Sequence, residues 1–488
     1  MDQTQTPLFD QLQDHRQKST ISLHVPGHKN GALFGHNNLF HDLSQIDLTE
    51  LSGLDDLHSP EGVIRKAQKL LADAYRVKQS FFLVNGSTAG NMAMILASLK
   101  EKDQIFVQRN CHKSILNGIR LAKGNPIFLQ PEYNREWKIA GGLSVKTVEK
   151  AIALYPNVKV MVLTYPNYYG MIYNIEDIIT LAHQHNIAVL VDEAHGAHFI
   201  GSGQFPKSTV SMGADAVVQS AHKTLPAMTM GAFLHCNGPN ISAGKIADYL
   251  AILQSSSPSY PIMASLDIAR SYIATYTEAD ASYLMEQIKG FRELLGKING
   301  IRLLSDDAFN GDPLKVTIQS KSSLSGYELL ALLEKQGIFA EMADPSNVLF
   351  VLPLLKKGHK FPFYTIIKKM EAALKNINEV QTAGQKDEAP RQETEPVEPV
   401  TLAIPIYEQS HLQKGRIPLS KAAGRIAAEQ VIPYPPGIPL LFPGERISTA
   451  HIDSLQSLLN KQAKLQCHPE LYKGFIEVFL ASESGENM

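Results

Sequence analysis

The chain has 488 residues, of which 44% are hydrophobic and 19% are charged, and its formal net charge is −2. These values are typical of a globular protein of two to four units, and they give no reason to expect nucleic acid or an anionic membrane as a partner. The three cysteines lie far apart in the sequence, so they predict neither a disulfide framework nor a zinc site and favour a reducing cytoplasm.

The N-terminus has neither the basic start nor the apolar core of a signal peptide, and no apolar run is long enough to span a membrane. Residues 1–60 combine short apolar pieces with turn formers, which predicts an irregular N-terminal segment. Apolar residues at helical spacing then predict a helix from Pro60 to about Tyr75.

Between about residues 79 and 235, apolar runs alternate with helical patterns. The predicted strands are Phe81–Val84, Gln104–Val107, Lys159–Leu163, Ala188–Val191 and Ala216–Val218. Continuously apolar strands separated by helices predict an α/β fold with a mainly parallel central sheet that is covered on both faces. Ligands bind such sheets beyond the carboxyl ends of the strands.

The rest of the chain reads as a helical region at 263–300 and a smaller α/β unit at 301–378. Residues 380–400 are rich in Gln, Glu, Pro, Lys and Thr, which predicts a flexible linker. A unit of about ninety residues follows the linker, and it contains the proline-rich segment Val431–Pro439. We predict five parts, namely 1–60, 61–270, 271–379, 380–400 and 401–488.

The segment Ser220-Ala221-His222-Lys223 follows the strand at Ala216. A lysine at the end of a buried strand can form a Schiff base with the aldehyde of pyridoxal 5′-phosphate (PLP), and the serine hydroxyl can reach the cofactor phosphate. Lys113 is a rival, but it follows a polar stretch and no serine precedes its neighbouring histidine. We therefore favour Lys223.

Asp192 ends a neighbouring apolar run. Its negative charge could keep the pyridine nitrogen protonated, although a helix cap is the simpler alternative. The motif Asp-Glu-Ala-His also occurs in helicases, but a P-loop is absent from the sequence. A metal site made of Glu193, His195 and His198 has no supporting ligand set.

The turn Gly86-Ser87-Thr88 precedes an apolar helix and could present amides and hydroxyls to a phosphate, or it could simply cap the helix. His112 could stack on the cofactor ring, although a histidine in a polar loop is more often solvated.

Many motifs, in one order, resemble the PLP-dependent ornithine/lysine/arginine decarboxylases of the bacterial fold-type I group. They are His24–Lys29, Leu54–His58, Gly86–Thr88, Arg109–Ser114, Asp192–His195, Ser220–Lys223, Ser255–Tyr260, Ala264–Asp267, Tyr434–Pro439 and Pro443–Glu445. The resemblance implies an aspartate-aminotransferase-like fold. Within it, 61–270 would be the PLP-binding domain and 401–488 the C-terminal decarboxylase domain. The chain looks like the short form of the family, without the N-terminal wing domain.

The resemblance also implies the site. Lys223 would be the Schiff-base lysine, with His222 beside it, and Asp192 would bind the ring nitrogen; these three are the predicted catalytic residues. The remaining predicted cofactor ligands comprise phosphate ligands (Ser87, Thr88 and Ser220) and ring or motif contacts (His112, Ala194 and His195). Family members are at least homodimers with sites at the subunit interface, and the loop Ser255–Tyr260 is a candidate to reach across it.

The implied reaction converts arginine, lysine or ornithine to agmatine, cadaverine or putrescine plus carbon dioxide, feeding polyamine metabolism. An aminotransferase, a carbon–sulfur lyase or a non-catalytic PLP-binding protein remain alternatives on the same fold. Aminotransferases of this fold clamp the substrate carboxylate with a small-domain arginine, but no arginine occurs between Arg302 and Arg391. A decarboxylase gains nothing from stabilising that carboxylate in the ground state.

Two features bear on the choice of substrate. Relatives often carry Asn-Pro-Thr-Tyr where this chain has Tyr165–Gly170, so a change in substrate choice is expected if this loop lines the pocket. A basic substrate side chain is expected to bind to acidic residues. The candidates are Asp55, Asp56, Glu341, Asp344 and Glu445, each of which could equally be a surface or structural carboxylate.

Overall fold

The computed structural model describes residues 1–18, 20–35, 38–304, 311–375, 398–434, 437–461 and 463–480. The α-helices are α1 Pro7–Gln17, α2 Asn38–Ser44, α3 Val63–Tyr75, α4 Gly86–Ser98, α5 Lys113–Leu121, α6 Val145–Leu154, α7 Ile175–Gln184, α8 Ala221–Thr224, α9 Ala243–Leu253, α10 Tyr260–Ala274, α11 Glu278–Leu295, α12 Gly326–Glu334, α13 Phe363–Leu374 and α14 Thr449–Asn460. Short 3-10 helices lie at Ala32–Phe34, Phe199–Gly201, Ile406–His411, Leu419–Lys421 and Pro469–Lys473.

The strands follow the same chain order. They are β1 Gln79–Leu83, β2 Gln104–Gln108, β3 Asn125–Leu129, β4 Tyr133–Asn134, β5 Ile139–Ala140, β6 Val160–Thr164, β7 Ala188–Asp192, β8 Ala216–Gln219, β9 Ala232–Cys236, β10 Ile301–Leu303, β11 Lys315–Ser320, β12 Met342–Ala343, β13 Asn347–Val351, β14 Val400–Thr401, β15 Lys414–Pro418, β16 Ile432–Pro433, β17 Leu465–Gln466 and β18 Phe475–Phe479. No helix in the described ranges has the length and apolarity that crossing a membrane requires.

The chain divides into two compact units. The first comprises Met1–Ser98, Ile175–Met285 and Pro353–His359, and the second comprises Leu99–Asn174, Glu286–Leu352 and Lys360–Met488. Most of the predicted linker, at 380–397, lies outside the described residues, as do 435 and 436 of the proline-rich segment. The five-part division of the chain stays a prediction.

The first unit contains four strands in the order β1-β9-β8-β7. β7 and β8 are parallel and wholly buried, which agrees with their continuously apolar sequences. β9 instead runs antiparallel to both β8 and β1. Only the short helix α8 separates β8 from β9, and this connection lacks the long helical crossover that usually joins two parallel strands.

The second unit contains strands in the order β6-β2-β3-β14, in which β2 pairs in parallel with both β3 and β6. A separate antiparallel sheet has the order β10-β11-β13-β12. Buried side chains between Leu419 and Val478 form a further apolar cluster, which also includes Val431, Leu441 and Leu471. The alternation of helices with parallel strand pairs confirms the predicted α/β class.

The expectation that residues 1–60 are irregular is wrong for α1. Leu8 and Leu12, one helical turn apart, are fully buried. The Leu8 amide donates a hydrogen bond to Asp267 Oδ2 at 2.9 Å, and Arg270 donates to Asp267 Oδ1 at 2.7 Å. Pro7 at the first helical position is a local signal for the start of this helix, but the capping carboxylate lies 259 positions along the chain, so the local sequence does not show the cap.

α3 starts at Val63, three residues later than the predicted Pro60. The start of this helix is capped by Asp55. Its carboxylate accepts hydrogen bonds from the amides of Glu61, Gly62 and Ile64 at 2.8–2.9 Å and from Arg65 at 3.2 Å. Partial burial raises the pKa of Asp55, but these main-chain hydrogen bonds outweigh it, so the pKa lies below its ordinary value.

Replacing Asp55 with alanine is expected to lower the free energy of unfolding by about 1–2 kcal/mol at pH 7, because four amides at the start of α3 lose their acceptor. A carboxyl with a lowered pKa in the folded state stabilises the fold above its unfolded pKa, and this contribution disappears as the pH falls through the folded pKa. Urea denaturation should therefore show the difference at pH 7 and a smaller one below about pH 4. A similar loss in Asp14→Ala, an exposed carboxylate of α1, would contradict a specific capping role.

Candidate active site

The carboxyl ends of β7 and β8 bring an acid and an amine to the same edge of the sheet. Asp192 is the last residue of β7 and pairs in register with Val218 of β8, and Lys223 follows within the one-turn helix α8. Lys223 Nζ lies 3.0 Å from His195 Nε2. Parallel pairing of two adjacent strands thus produces the cluster that the two sequence motifs predicted.

The Asp192 carboxylate is only 4% exposed. Its Oδ2 accepts a hydrogen bond from Asn91 Nδ2 at 2.9 Å, and its Oδ1 accepts one from the Ala194 amide at 3.2 Å. Burial raises the pKa of Asp192, while the charge of Lys223 and both hydrogen bonds act against the rise. A buried carboxylate of this kind favours a cation beside it.

Asn91 was absent from the predicted site. It lies four residues after Ser87 on α4, so the two side chains share one face of that helix, and it is 1% exposed. The signal was present in the sequence as a polar residue at helical spacing from the Gly-Ser-Thr turn. Its importance depends on Asp192, which lies 101 positions away.

Hydroxyl groups gather at the start of α4. Ser220 Oγ, which is fully buried, donates to Ser87 Oγ at 2.9 Å, and Thr88 is the next, more exposed residue of the same first turn. The first amides of a helix have no acceptor within the helix, and the helix dipole makes this end positive. An anion such as a phosphate suits this arrangement of amides and hydroxyls.

Glu193 has a different structural role from its neighbour Asp192. It is fully buried and accepts hydrogen bonds from Ser208 Oγ and Gln219 Nε2 at 2.7 Å each and from the Thr209 amide at 2.6 Å. Burial raises the pKa of Glu193 to about 7. Across the described ranges, no group of three His, Cys, Asp or Glu side chains is arranged to hold a metal.

The two other predicted histidines lie in different surroundings. His222 Nδ1 is 2.9 Å from the Gly231 carbonyl oxygen, which also accepts the His222 amide at 3.2 Å. His112 belongs to the second unit, where its Nδ1 accepts the Ser114 amide at 3.2 Å and caps α5. The structure therefore brings six predicted residues together in the first unit and places His112 in the second: Ser87, Asp192, Ala194, His195, Ser220 and Lys223.

The acidic candidates for substrate binding have structural partners. Asp55 caps α3, and Asp56 Oδ1 accepts the His58 amide at 2.8 Å. The other three partners are Tyr168 for Glu341, Asn347 for Asp344 and Arg109 for Glu445. Tyr168 lies in the loop that departs from the family pattern, which links Glu341 to that departure.

The donor set of the first unit fits pyridoxal 5′-phosphate. Lys223 offers an amine for the aldehyde, Asp192 a buried carboxylate for a protonated ring nitrogen, and Ser87 and Ser220 hydroxyls for the phosphate. Ala194 presents only a methyl group between Asp192 and His195. The aldehyde, the ring nitrogen and the phosphate of the cofactor thus each have a chemically matched partner.

Comparisons with known proteins agree with this chemistry. Residues 6–305 match the model of the Orn/Lys/Arg decarboxylase major domain, and 389–471 match that of the Orn/Lys/Arg decarboxylase C-terminal domain. The uncharacterised protein YaaO of Bacillus subtilis is 42% identical over 98% of this chain and 99% of its own length. The arginine decarboxylase of the same organism is 32% identical over 93% of each chain.

Among solved structures, the lysine decarboxylase LdcF of Francisella novicida has a TM-score of 0.78 and 21% identity, over 97% of this chain and 81% of that one. This likeness confirms the predicted fold-type I architecture. Since the major-domain model alone matches more than half of the residues, the chain belongs to the Orn/Lys/Arg decarboxylase family and is a PLP-dependent amino-acid decarboxylase.

Proposed function

We propose that this enzyme decarboxylates a basic L-amino acid, that is arginine, lysine or ornithine, and supplies the resulting agmatine, cadaverine or putrescine to polyamine metabolism. The observation that carries the proposal is the juxtaposition of the Lys223 amine, the His195 ring and the buried Asp192 carboxylate. Relatives named arginine decarboxylase and lysine decarboxylase support a basic substrate.

The cofactor supplies an electron sink for the bond that breaks at the substrate Cα. The charge of Asp192 would keep the ring nitrogen protonated, and Asn91 orients the Asp192 carboxylate by a hydrogen bond. Lys223 Nζ, which lies beside His195 Nε2, would hold the cofactor and could move a proton to or from the substrate. His222 can hold a proton at Nε2, since its Nδ1 faces the Gly231 carbonyl.

The remaining predicted residues bind and orient. Ser87, Thr88 and Ser220 would offer their hydroxyl groups to the phosphate, and His112 and Ala194 would be the contacts to the ring. Exclusion of water around the fully buried Ser220 strengthens these hydrogen bonds.

The described structure also bears on the aminotransferase alternative. Arg302, which borders the arginine-free stretch, donates to Glu136 Oε1 at 2.7 Å, and its guanidinium lies 4.4 Å from the centre of the Trp137 ring. These partners already engage its guanidinium, so Arg302 is a poor candidate for a carboxylate clamp. This favours loss of carbon dioxide over transamination.

We also propose a cytoplasmic homodimer with active sites at its interface. In the predicted interface loop, Ser255–Ser257 is exposed, whereas Tyr260 is fully buried and donates a hydrogen bond to the Asp55 carbonyl. The part of the loop that can reach a partner subunit is therefore Ser255–Ser257.

The proposed reaction is tested by incubating the holoenzyme with arginine, lysine and ornithine and measuring the amine and carbon dioxide. We expect equal amounts of both products from at least one of the three. Norleucine, which lacks only the side-chain amine of lysine, is the matched control and should not react. A keto acid would instead indicate an aminotransferase, and absence of any product would indicate a non-catalytic PLP-binding protein.

A further inference from the structure

The C-terminal region of the second unit contacts the loop that carries His112. Arg109 donates to the carbonyl oxygens of Pro439 at 2.6 Å and Leu440 at 3.0 Å, and its guanidinium is 3.0 Å from Glu445 Oε2. The Arg109 and Glu445 side chains are both largely buried, and Glu445 also accepts the Phe442 amide at 2.8 Å. Arg109 directly follows β2, so its contacts hold the main chain around 439–445 at the end of that strand.

Lys113, on the other side of His112, has contacts with the same region. Its amide donates to the Gly437 carbonyl at 3.0 Å, its Nζ donates to Gln466 Oε1 at 2.7 Å, and the Nζ lies 5.3 Å from the centre of the Tyr434 ring. Residues on both sides of His112 are thus tied to one stretch of the C-terminal region.

His112 itself is held between two elements. Nδ1, on one edge of the imidazole, accepts the Ser114 amide and lies 2.8 Å from Ser114 Oγ. The opposite edge meets Gly437, where an added Cβ would stand 3.1 Å from both Cδ2 and Nε2 of the ring. That approach is tighter than ordinary van der Waals contact, so a side chain at 437 would displace the ring by a few tenths of an ångström.

Gly437 is in turn fixed by its own hydrogen bonds. Its φ is +89°, a conformation that glycine adopts at little cost, and its amide donates to the Pro433 carbonyl at 3.0 Å. It is buried, and its carbonyl accepts the Lys113 amide. These hydrogen bonds fix the main chain at Gly437, so the glycine limits how far the imidazole can move toward it.

We infer that the C-terminal region acts as a brace for His112, with Gly437 as the positioning residue that sets where the imidazole can lie. The inference rests on the proposed role of His112 as a contact to the cofactor ring. The C-terminal region then influences the cofactor through one histidine, and it needs no residue of its own in the chemistry.

The test compares four proteins: wild type, Gly437→Ala, His112→Ala and the double variant. PLP affinity is measured by equilibrium dialysis of the cofactor-free proteins, and the visible circular dichroism of the bound cofactor is recorded for each. Gly437→Ala should weaken PLP binding about tenfold, since a ring-stacking contact contributes on that order, and it should change the visible dichroism. The double variant should bind PLP no more weakly than His112→Ala, because the added methyl group has no ring left to displace.

Gly424→Ala is the matched control. Gly424 also lies in the C-terminal region with a positive φ of +79°, but an added Cβ there meets nothing within 4 Å. It carries the same backbone cost without the contact to His112, so its PLP affinity should equal that of wild type.

Two results would overturn the inference. One of them would also contradict the proposed role of His112, whereas the other would leave the proposed function intact. If His112→Ala binds PLP normally with unchanged dichroism, then the proposed role of His112 falls, and the brace falls with it. The second result starts from weakened PLP binding in His112→Ala. If Gly437→Ala then binds PLP like Gly424→Ala, or if its effect on PLP affinity adds fully to that of His112→Ala, the brace alone is wrong and the proposed function stands.

Discussion

Replacing Lys223 with alanine is expected to abolish decarboxylation, lowering kcat by about 10³-fold or more, while the fold stays intact. The variant loses both the amine that would carry the cofactor and the proton carrier that releases the product. Lys223 is partly exposed in a one-turn helix, so its truncation removes little buried apolar surface. Amine production from arginine, lysine and ornithine measures the effect on kcat, and far-ultraviolet circular dichroism measures the fold.

The visible absorbance of the bound cofactor provides a second measurement for Lys223→Ala, since the covalent link to the lysine gives that band. Lys69→Ala, a variant of an exposed lysine on α3, is the matched control and should keep both the band and the activity. Full activity in Lys223→Ala, or loss of the band in Lys113→Ala instead, would show that the wrong lysine had been assigned.

Asp192→Asn is expected to lower kcat by about 10²–10³-fold, because the amide keeps the size of the side chain but removes the charge that stabilises a protonated ring nitrogen. The unfolding temperature of the cofactor-free protein should change by no more than about 4 °C, since a buried charge is lost along with one hydrogen-bond acceptor. Activity close to that of wild type would remove Asp192 from the mechanism.

The pH dependence of kcat/KM tests the same carboxylate. The active form needs Asp192 ionised, so activity is present above its pKa and is lost as the pH falls through that value, which burial raises. Asn91→Ala removes a hydrogen bond to the ionised form, so it should raise the pKa of Asp192 further and move the acid limb of the profile to higher pH. An unmoved limb, or one shifted to lower pH, would contradict the role of Asn91.

Much of the first unit was predictable because its signals are local. The strands expected at Ala188–Val191 and Ala216–Val218 are present because a continuously buried strand is continuously apolar in sequence. Each strand extends by one further, polar residue, to Asp192 and Gln219. Lys223 and Asp192 could be paired in advance because the carboxyl ends of parallel strands meet at one edge.

Other features depended on residues that are distant in the chain. The acidic candidates illustrate this, since Asp55 and Glu445 looked equally available to a substrate in the sequence. In the structure Asp55 accepts hydrogen bonds from four amides at and just before the start of α3, and Glu445 is paired with Arg109. Which carboxylates have partners depends on the path of the chain, and a pattern of residue types does not contain that path.

The sequence by itself determined the α/β class through local periodicity, and the family and its cofactor through short motifs in one order; the same motifs predicted Lys223 and Asp192 as the centre of the site. The tertiary structure alone decided that α1 is a helix capped by Asp267, that Asn91 supports Asp192, and that Gly437 meets His112. These contacts join residues far apart in the chain through single hydrogen bonds or one close approach. Their free energy is available only after the chain has folded, so the residue types alone do not show which of these distant partners meet.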